Sequence, residues 1–239
     1  MAKLIDDFVK QISEGEAAFS LREGWKSLYN SYPSADSLAL LWSQWALETG
    51  RGKVIHCYNF GNIKKRYANP KYNITDDGHD WCMFRCSEII KGKEEWFDPP
   101  HIQTHFRAYD SSIKGATDYI RFVSQRSRYK DAWQQVLAGS PVGYSHELKK
   151  AGYYTASETL YTKGIVRLTN EFKGKYDKLM QWTPPEIDGT TSEQHPAAND
   201  HLFSDEDKKH ILNVIGLSLN QSVNDYFSRT DRIDHEIKA

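Results

Sequence analysis

The sequence predicts a mainly α protein carrying a small β-hairpin lobe, an α+β architecture. Apolar residues recur at spacings of three and four before residue 49 and again after residue 111, the period of amphipathic helices. Residues 53–107 break that period, with glycines at 61, 78 and 92, a Tyr/Asn-rich stretch and short runs of β character. The chain has 239 residues and 39% hydrophobic content, enough for one sizeable core or a core with a small appendage.

The elements follow in order. Leu4, Ile5, Phe8, Val9 and Ile12 predict a first helix over 3–13, and Phe19, Trp25, Leu28 and Tyr29 a second over about 18–31. Pro33 punctuates, and Ser34 is a suitable N-cap for a helix running to Glu48, which Gly50 and Gly52 end. Asp80–Ile90 and Ile102–Tyr109 read as extended segments, joined by a long loop holding Trp96, Phe97 and Pro99-Pro100. Helical pattern resumes from Ser111 or Ser112 with Ile113, Ala116, Tyr119, Ile120 and Val123. Further helices are expected near 129–138, over 144–152 up to Gly152, and from Glu158 to about Leu179. From Thr183 to Asp207 the chain has no Lys or Arg and several acids and prolines, the composition of a linker. Ser204 with Asp207 resembles a capping box opening a last helix. The expected organisation is a main domain over 1–182 with its N-terminal helices in 1–33, a linker over 183–203, and a C-terminal helix within 204–239.

A formal net charge of −1 argues against a nucleic-acid partner. No apolar run is long enough to span a membrane, so no membrane partner is expected. Cys57, Cys82 and Cys86 are too few and too odd for a disulfide framework. With His79 they would offer four ligands to zinc, but the spacing fits no familiar zinc pattern. The expectation is therefore buried free thiols, no metal and no cofactor, with a single disulfide between two of the three as the alternative in an oxidising compartment.

One carboxylate is oddly placed. Leu38, Leu41 and Trp45 share a helical stripe, and Glu48 lies three residues past Trp45 and seven past Leu41, so it falls on the apolar face. Such a group is either a structural charge paired with Arg51 or Lys53, or a carboxyl whose protonated form desolvation favours, which is how a general acid is made.

The residues around it resemble a known family. Ala46-Leu47-Glu48-Thr49-Gly50-Arg51-Gly52 is similar to the A-L-E-S-G-W-G motif of bacterial glucosaminidases, peptidoglycan hydrolases of the flagellar-assembly and autolysin type. Asn59-Phe60-Gly61-Asn62-Ile63-Lys64 resembles the family's N-x-F-G-I-K, with Asn62 inserted. Phe106-Arg107-Ala108-Tyr109-Asp110-Ser111 resembles its F-R-x-Y-x-S, and Ala151-Gly152-Tyr153 with Thr155 and Tyr161 its A-G-Y-A-T-D-P-x-Y. Four motifs occur in the family's order over about residues 35–170.

The resemblance implies a lysozyme-like fold and hydrolysis of the β-1,4 bond on the reducing side of N-acetylglucosamine in the peptidoglycan glycan strand. It makes Glu48 the general acid and Tyr153 a residue that orients substrate or steadies charge. It also places Asn59, Phe60 and Tyr109 along the groove. Ser87-Glu88-Ile89-Ile90-Lys91-Gly92 resembles the family's T-E-Y-x-x-G, which offers Glu88 as the second carboxylate. Glu94, Glu95, Asp76, Asp77 and Asp80 remain alternatives, since a long loop follows. The distance between the two carboxyls would decide an inverting or a retaining outcome.

Two competing readings share the lysozyme-like fold. A lytic transglycosylase or a lysozyme-type muramidase is one, although the transglycosylases' G-L-M-Q motif is missing; a non-catalytic glycan-binding module is the other. Residues 1–14 lack a signal-peptide layout and no wall-binding repeat is seen. The expected setting is therefore synthesis in the cytoplasm and action on the cell wall in the periplasm of a target cell. That fits a type VI secretion effector, with a cognate immunity protein as partner, or a phage lysin.

Overall fold

Helix α2 (Ala35–Glu48) is the axis around which the other elements pack. The structure is a computed structural model, and it describes residues 2–185 apart from 73, 91–92 and 155–156, and apart from the side chains of 72 and 88–90. The expected C-terminal helix, and the linker beyond residue 185, lie outside the described residues.

Helix α2 starts where Ser34 accepts a hydrogen bond from the Ser37 N–H at 3.0 Å. From Ser37 to Glu48 every residue is buried. The stripe of Leu38, Leu41 and Trp45 is thus one part of a helix that is buried all round from Ser37 on and has no wet face there, as expected for a helix sunk in a core. It is enclosed by α1 (Glu14–Tyr29), α4 (Lys130–Leu137) and α6 (Glu158–Gly174). Some polar groups of the helix find partners in the core: Ser43 Oγ bonds the Ala39 carbonyl, and Gln44 Oε1 accepts from the hydroxyls of Tyr119 and Tyr144, whereas Gln44 Nε2 and Trp45 Nε1 are buried without one among the described residues. Tyr119 lies on α3 (Ser112–Gln125), which packs on α1, and Tyr144 on α5 (Pro141–Lys150). A short α7 (Tyr176–Met180) follows α6 after a break at Lys175, so the long helix expected from 158 to 179 is two.

Residues 3–12 are extended, which corrects the helix expected there. Strand β1 (Val9–Lys10) pairs antiparallel with β2 (Ile55–His56), and Leu4 bridges in parallel to Trp81. The apolar set that suggested a helix is not buried as one stripe: Leu4 and Val9 stay about half exposed, at 51% and 52%. Backbone pairing with distant segments has outweighed local periodicity.

The lobe is built on β3 (Trp81–Met83) antiparallel to β6 (His105–Arg107), with Cys82 opposite Phe106. Between them a hairpin pairs β4 (Cys86–Ile90) with β5 (Lys93–Phe97). Trp96 and Phe97, expected in a loop, therefore belong to a strand. The mainly α architecture with a small β lobe is as the sequence predicts.

Candidate active site

Glu48 is the last residue of α2 and is 2% exposed. The turn after it explains the local sequence. Thr49 caps the helix, its hydroxyl bonding the Trp45 carbonyl at 2.7 Å and accepting from the Gly52 N–H at 3.0 Å. Gly50, Arg51 and Gly52 then all take positive φ, at 58°, 62° and 77°. At Gly52 glycine is required twice over, since a Cβ there would stand 2.4 Å from the Ile12 carbonyl oxygen and 2.8 Å from Trp45.

Arg51 pins this turn to two helices. Its guanidinium reaches Glu14 on α1 at 2.8 Å and grips Glu171 on α6 with both nitrogens, while Lys175 bonds Glu171 at 2.7 Å. Burial pushes the Glu171 carboxyl up, but the hydrogen bonds from Arg51 and Lys175 outweigh it and hold the group down to about 2. The carboxylate end of α2 is therefore seated in a braced, reversed turn.

Tyrosines gather around Glu48. The Tyr161 hydroxyl, from α6, donates to Glu48 Oε1 at 3.3 Å. The Tyr161 ring is stacked on Tyr154 with centroids 3.8 Å apart, and Tyr154 is itself fixed by its hydroxyl bond to the Ser145 carbonyl at 3.0 Å. Tyr153 is delivered by the end of α5 through a Schellman motif: the Gly152 N–H bonds the Lys149 carbonyl, the Tyr153 N–H bonds the Leu148 carbonyl, and Gly152 takes φ 72°. Its ring meets Tyr129 edge-on at 5.7 Å. Burial, and then the nearby Glu48 charge, raise the phenols of Tyr153 and Tyr161 well above their ordinary value. Both remain hydroxyl donors at any working pH, suited to orienting a carboxyl or steadying charge and unsuited to acting as bases.

The residues expected along the groove sit deeper. Asn59 is fully buried and spends its amide on backbone: Nδ2 donates to the carbonyls of Ile63 and Arg107, both at 2.9 Å, and Oδ1 accepts from the Ile63 N–H at 2.8 Å. Phe60 is equally buried and packs on Trp45 with centroids 5.9 Å apart. The Tyr109 hydroxyl donates to Asp118 at 2.6 Å, and the buried Arg107 bonds the same carboxylate at 2.6 Å and Asp77 at 2.9 Å. Asn59, Phe60 and Tyr109 thus hold the lobe against the helices from within.

Among the candidate second carboxylates, Asp76 and Asp77 both take Lys65 at 2.7 Å, and Asp80 accepts from the Lys3 N–H at 2.8 Å. The β4–β5 register sets Glu88 opposite Glu95, with Glu94 next to it on the exposed strand. The Glu88 side chain lies outside the described part of the structure, as does Thr155. The residue to which sequence reasoning assigned no role is Asp118. Its signal was faint: an acid three residues after Gly115 and four before Phe122, on the flank of an apolar stripe.

A carboxyl buried beside a tyrosine hydroxyl at a helix end is equipped to hand on a proton, and comparison with known proteins shows the family to which the chain that carries it belongs. Residues 27–174 match the Glucosaminidase family, described as mannosyl-glycoprotein endo-beta-N-acetylglucosaminidase. The chain belongs to the glucosaminidase family. It is 24% identical over 151 residues to the peptidoglycan hydrolase FlgJ of Escherichia coli K12, and equally to that of Escherichia coli O157:H7. Each alignment covers 62% of this chain and 44% of the relative, so this chain spans less than half the length of either. Similar solved structures include a peptidoglycan hydrolase mutant from Sphingomonas sp. A1, at 22% identity and TM-score 0.45, covering 69% of this chain and 92% of that one. The glycoside hydrolase domain of Salmonella typhimurium FlgJ follows at 18% identity and TM-score 0.44, covering 69% and 88%. The catalytic domain of the autolysin Auto from Listeria monocytogenes aligns at 16% identity and TM-score 0.45, covering 73% and 90%.

Proposed function

We propose that the protein hydrolyses the β-1,4 bond between N-acetylglucosamine and N-acetylmuramic acid in peptidoglycan, with Glu48 as general acid. The observation that carries this is the seat of Glu48, sunk in the core at the end of α2 with the Tyr161 hydroxyl on one of its oxygens. Its proton goes to the glycosidic oxygen as the bond to the anomeric carbon breaks, and water adds to that carbon, giving up its proton to the second carboxylate in an inverting reaction or to the Glu48 carboxylate in a retaining one. Tyr153 and Tyr161 hold hydroxyls ready for the carboxylate left behind and for charge developing on the sugar. Glu88, or a neighbour on the hairpin, serves as the second carboxylate. The catalytic domain runs over 1–182, followed by the linker and a C-terminal helix.

Glu48→Gln is the direct test, because it keeps shape and removes the acid. Release of reducing ends from purified peptidoglycan is expected to fall by about 10²–10⁴-fold. Lysis at the wild-type rate would sink the assignment. Mass spectrometry of the products fixes the bond: reducing-end N-acetylglucosamine supports the proposal, reducing-end N-acetylmuramic acid a muramidase, and anhydro-muramic ends a lytic transglycosylase.

For the setting, we favour an antibacterial effector delivered to the periplasm of a rival cell over a phage lysin. The supporting feature is the near-neutral formal net charge of −1. The product of a neighbouring reading frame should then bind this protein tightly and block hydrolysis; failure of any such product to do so favours the lysin.

A further inference from the structure

Away from Glu48, three donor atoms from three separate stretches of chain converge. Asp7 stands in the extended N-terminal segment, Cys57 just after β2 and Cys82 in β3. One Asp7 carboxylate oxygen and the two sulfurs all lie within 4.8 Å of one another. Cys57 Sγ is 3.5 Å from Asp7 Oδ1. A tetrahedral zinc with bonds of about 2.3 Å to sulfur and 2.1 Å to oxygen sets sulfur and oxygen about 3.6 Å apart, and two sulfurs about 3.8 Å apart. The Cys57–Asp7 separation already matches that spacing, and the Cys82 sulfur lies within 4.8 Å of both atoms.

The backbone holds it in that form. The Cys57 N–H bonds the Phe8 carbonyl at 2.9 Å, and Lys3 and Ile5 bracket Trp81 with hydrogen bonds of 2.9 Å each. Cys57 and Tyr58 are consecutive non-glycine residues at φ 49° and 53°. That left-handed pair is unfavourable and persists only where its surroundings over-determine it, as they do at ligand sites. Asp7 is supported from behind, with His56 Nδ1 2.9 Å from both carboxylate oxygens and its ring stacked on Phe84 at 3.7 Å. Ligating carboxylates in metal centres are themselves held by hydrogen bonds of this kind. Both thiols are buried while the Asp7 side chain is 24% exposed, which leaves the carboxylate side open to a water as fourth ligand.

We propose that Asp7, Cys57 and Cys82 form a binding site for a thiophilic divalent cation, zinc, which staples the N-terminal segment to the β lobe. Binding forms two metal–sulfur bonds and one metal–oxygen bond and releases the two thiol protons to solvent. The grouping differs from the one that sequence spacing suggested. His79 is engaged with Asp118 at 3.5 Å and Cys86 with the Gln103 carbonyl at 3.3 Å, whereas Asp7, fifty residues before Cys57, supplies the third ligand. Asp7 also precedes residue 27, where the family match begins, so the complete ligand set is a property of this chain beyond the matched stretch.

The test uses the full chain, purified with reductant, stripped with chelator and titrated with cobalt(II) alone. One equivalent should bind with a thiolate-to-cobalt charge-transfer band that zinc abolishes by displacement. Cys57→Ser and Cys82→Ser should each lose most of that band, Asp7→Asn should weaken binding by at least about 10-fold, since loss of a ligand costs no less than loss of an outer-shell partner, and Cys86→Ser should change nothing. Circular dichroism reports whether each variant folds. Asp7→Asn, at an exposed position, decides the matter if a buried cysteine variant does not. The proposal is overturned by absence of the band in the wild type, by its persistence in Cys57→Ser with Cys82→Ser, or by undiminished affinity in Asp7→Asn. A Cys57–Cys82 disulfide found by non-reducing peptide mapping in place of bound metal overturns it equally. None of these readouts depends on hydrolysis, so the substrate reading stands or falls separately.

Discussion

Tyr161 reaches across from α6 to place its hydroxyl 3.3 Å from Oε1 of Glu48, the last residue of α2. One helix thus supplies the candidate acid and another its donor, and both side chains are shut away from bulk water. Removing the hydroxyl without changing the ring isolates the contribution of this contact. Tyr161→Phe should fold normally, since the ring keeps its stack on Tyr154. Turnover should fall by about tenfold, as expected for one hydrogen bond to a charged or protonating carboxyl. KM should scarcely move. A matching rise in KM in steady-state assays on soluble glycan strands would assign Tyr161 to substrate binding instead.

Tyr109 gives the opposite pattern. Its hydroxyl is committed to Asp118 at 2.6 Å inside the Arg107 network. Tyr109→Phe should therefore cost stability, by about 1.5–3 kcal/mol for a buried hydrogen bond to a carboxylate. KM for glycan should stay at the wild-type value. Urea unfolding and initial-rate kinetics on the same preparation check both halves; a raised KM with unchanged stability would return Tyr109 to the groove.

The pair Gly52 and Gly78 tests the turn behind Glu48. Both have positive φ, 77° and 72°, but only Gly52 has atoms in the way of a side chain. Gly78→Ala should cost about 1–2 kcal/mol, the conformational penalty alone. Gly52→Ala adds the collision with the Ile12 carbonyl and Trp45, for a total of about 3–5 kcal/mol. Chemical denaturation of the two variants measures the difference, and equal losses would mean that the turn relaxes freely.

These residues also show what a sequence can disclose. Helix α2 was legible because its signals are local: Ser34 to start it, an apolar run to bury it, Gly50 and Gly52 to turn the chain. The Schellman end that delivers Tyr153 was equally visible in Gly152. The extended N-terminal segment was not, because its partners, Trp81 and the residues around Cys57, lie some fifty to eighty positions away. For the same reason Asn59, Phe60 and Tyr109 could be picked out as important but not given the right neighbours. Asp118 meets Tyr109, the Ile63 and Arg107 backbone meets Asn59 and the Trp45 ring meets Phe60 only after folding, and a short motif carries no record of that.

Acid titration tests the brace under the site. Glu171 ionises in the folded protein at about 2, against an ordinary value of 4.5, because Arg51 and Lys175 hold its charged form despite burial. A carboxyl depressed on folding stabilises the protein fully above its unfolded pKa and loses that contribution as pH falls through the folded one. The window is therefore from about 4.5 down to 2. The contribution at neutral pH is on the order of 2 kcal/mol, Glu171 being about three-quarters buried. Glu171→Gln should be less stable than wild type by that amount at pH 7, and the gap should close progressively as the pH is lowered towards 2. Parallel urea titrations of the two proteins across that range measure it. A gap that stays constant with pH would show that Arg51 and Lys175 do not favour the ionised form of Glu171, and the turn that carries Glu48 would then owe its rigidity to Thr49, the glycines and the Arg51–Glu14 pair.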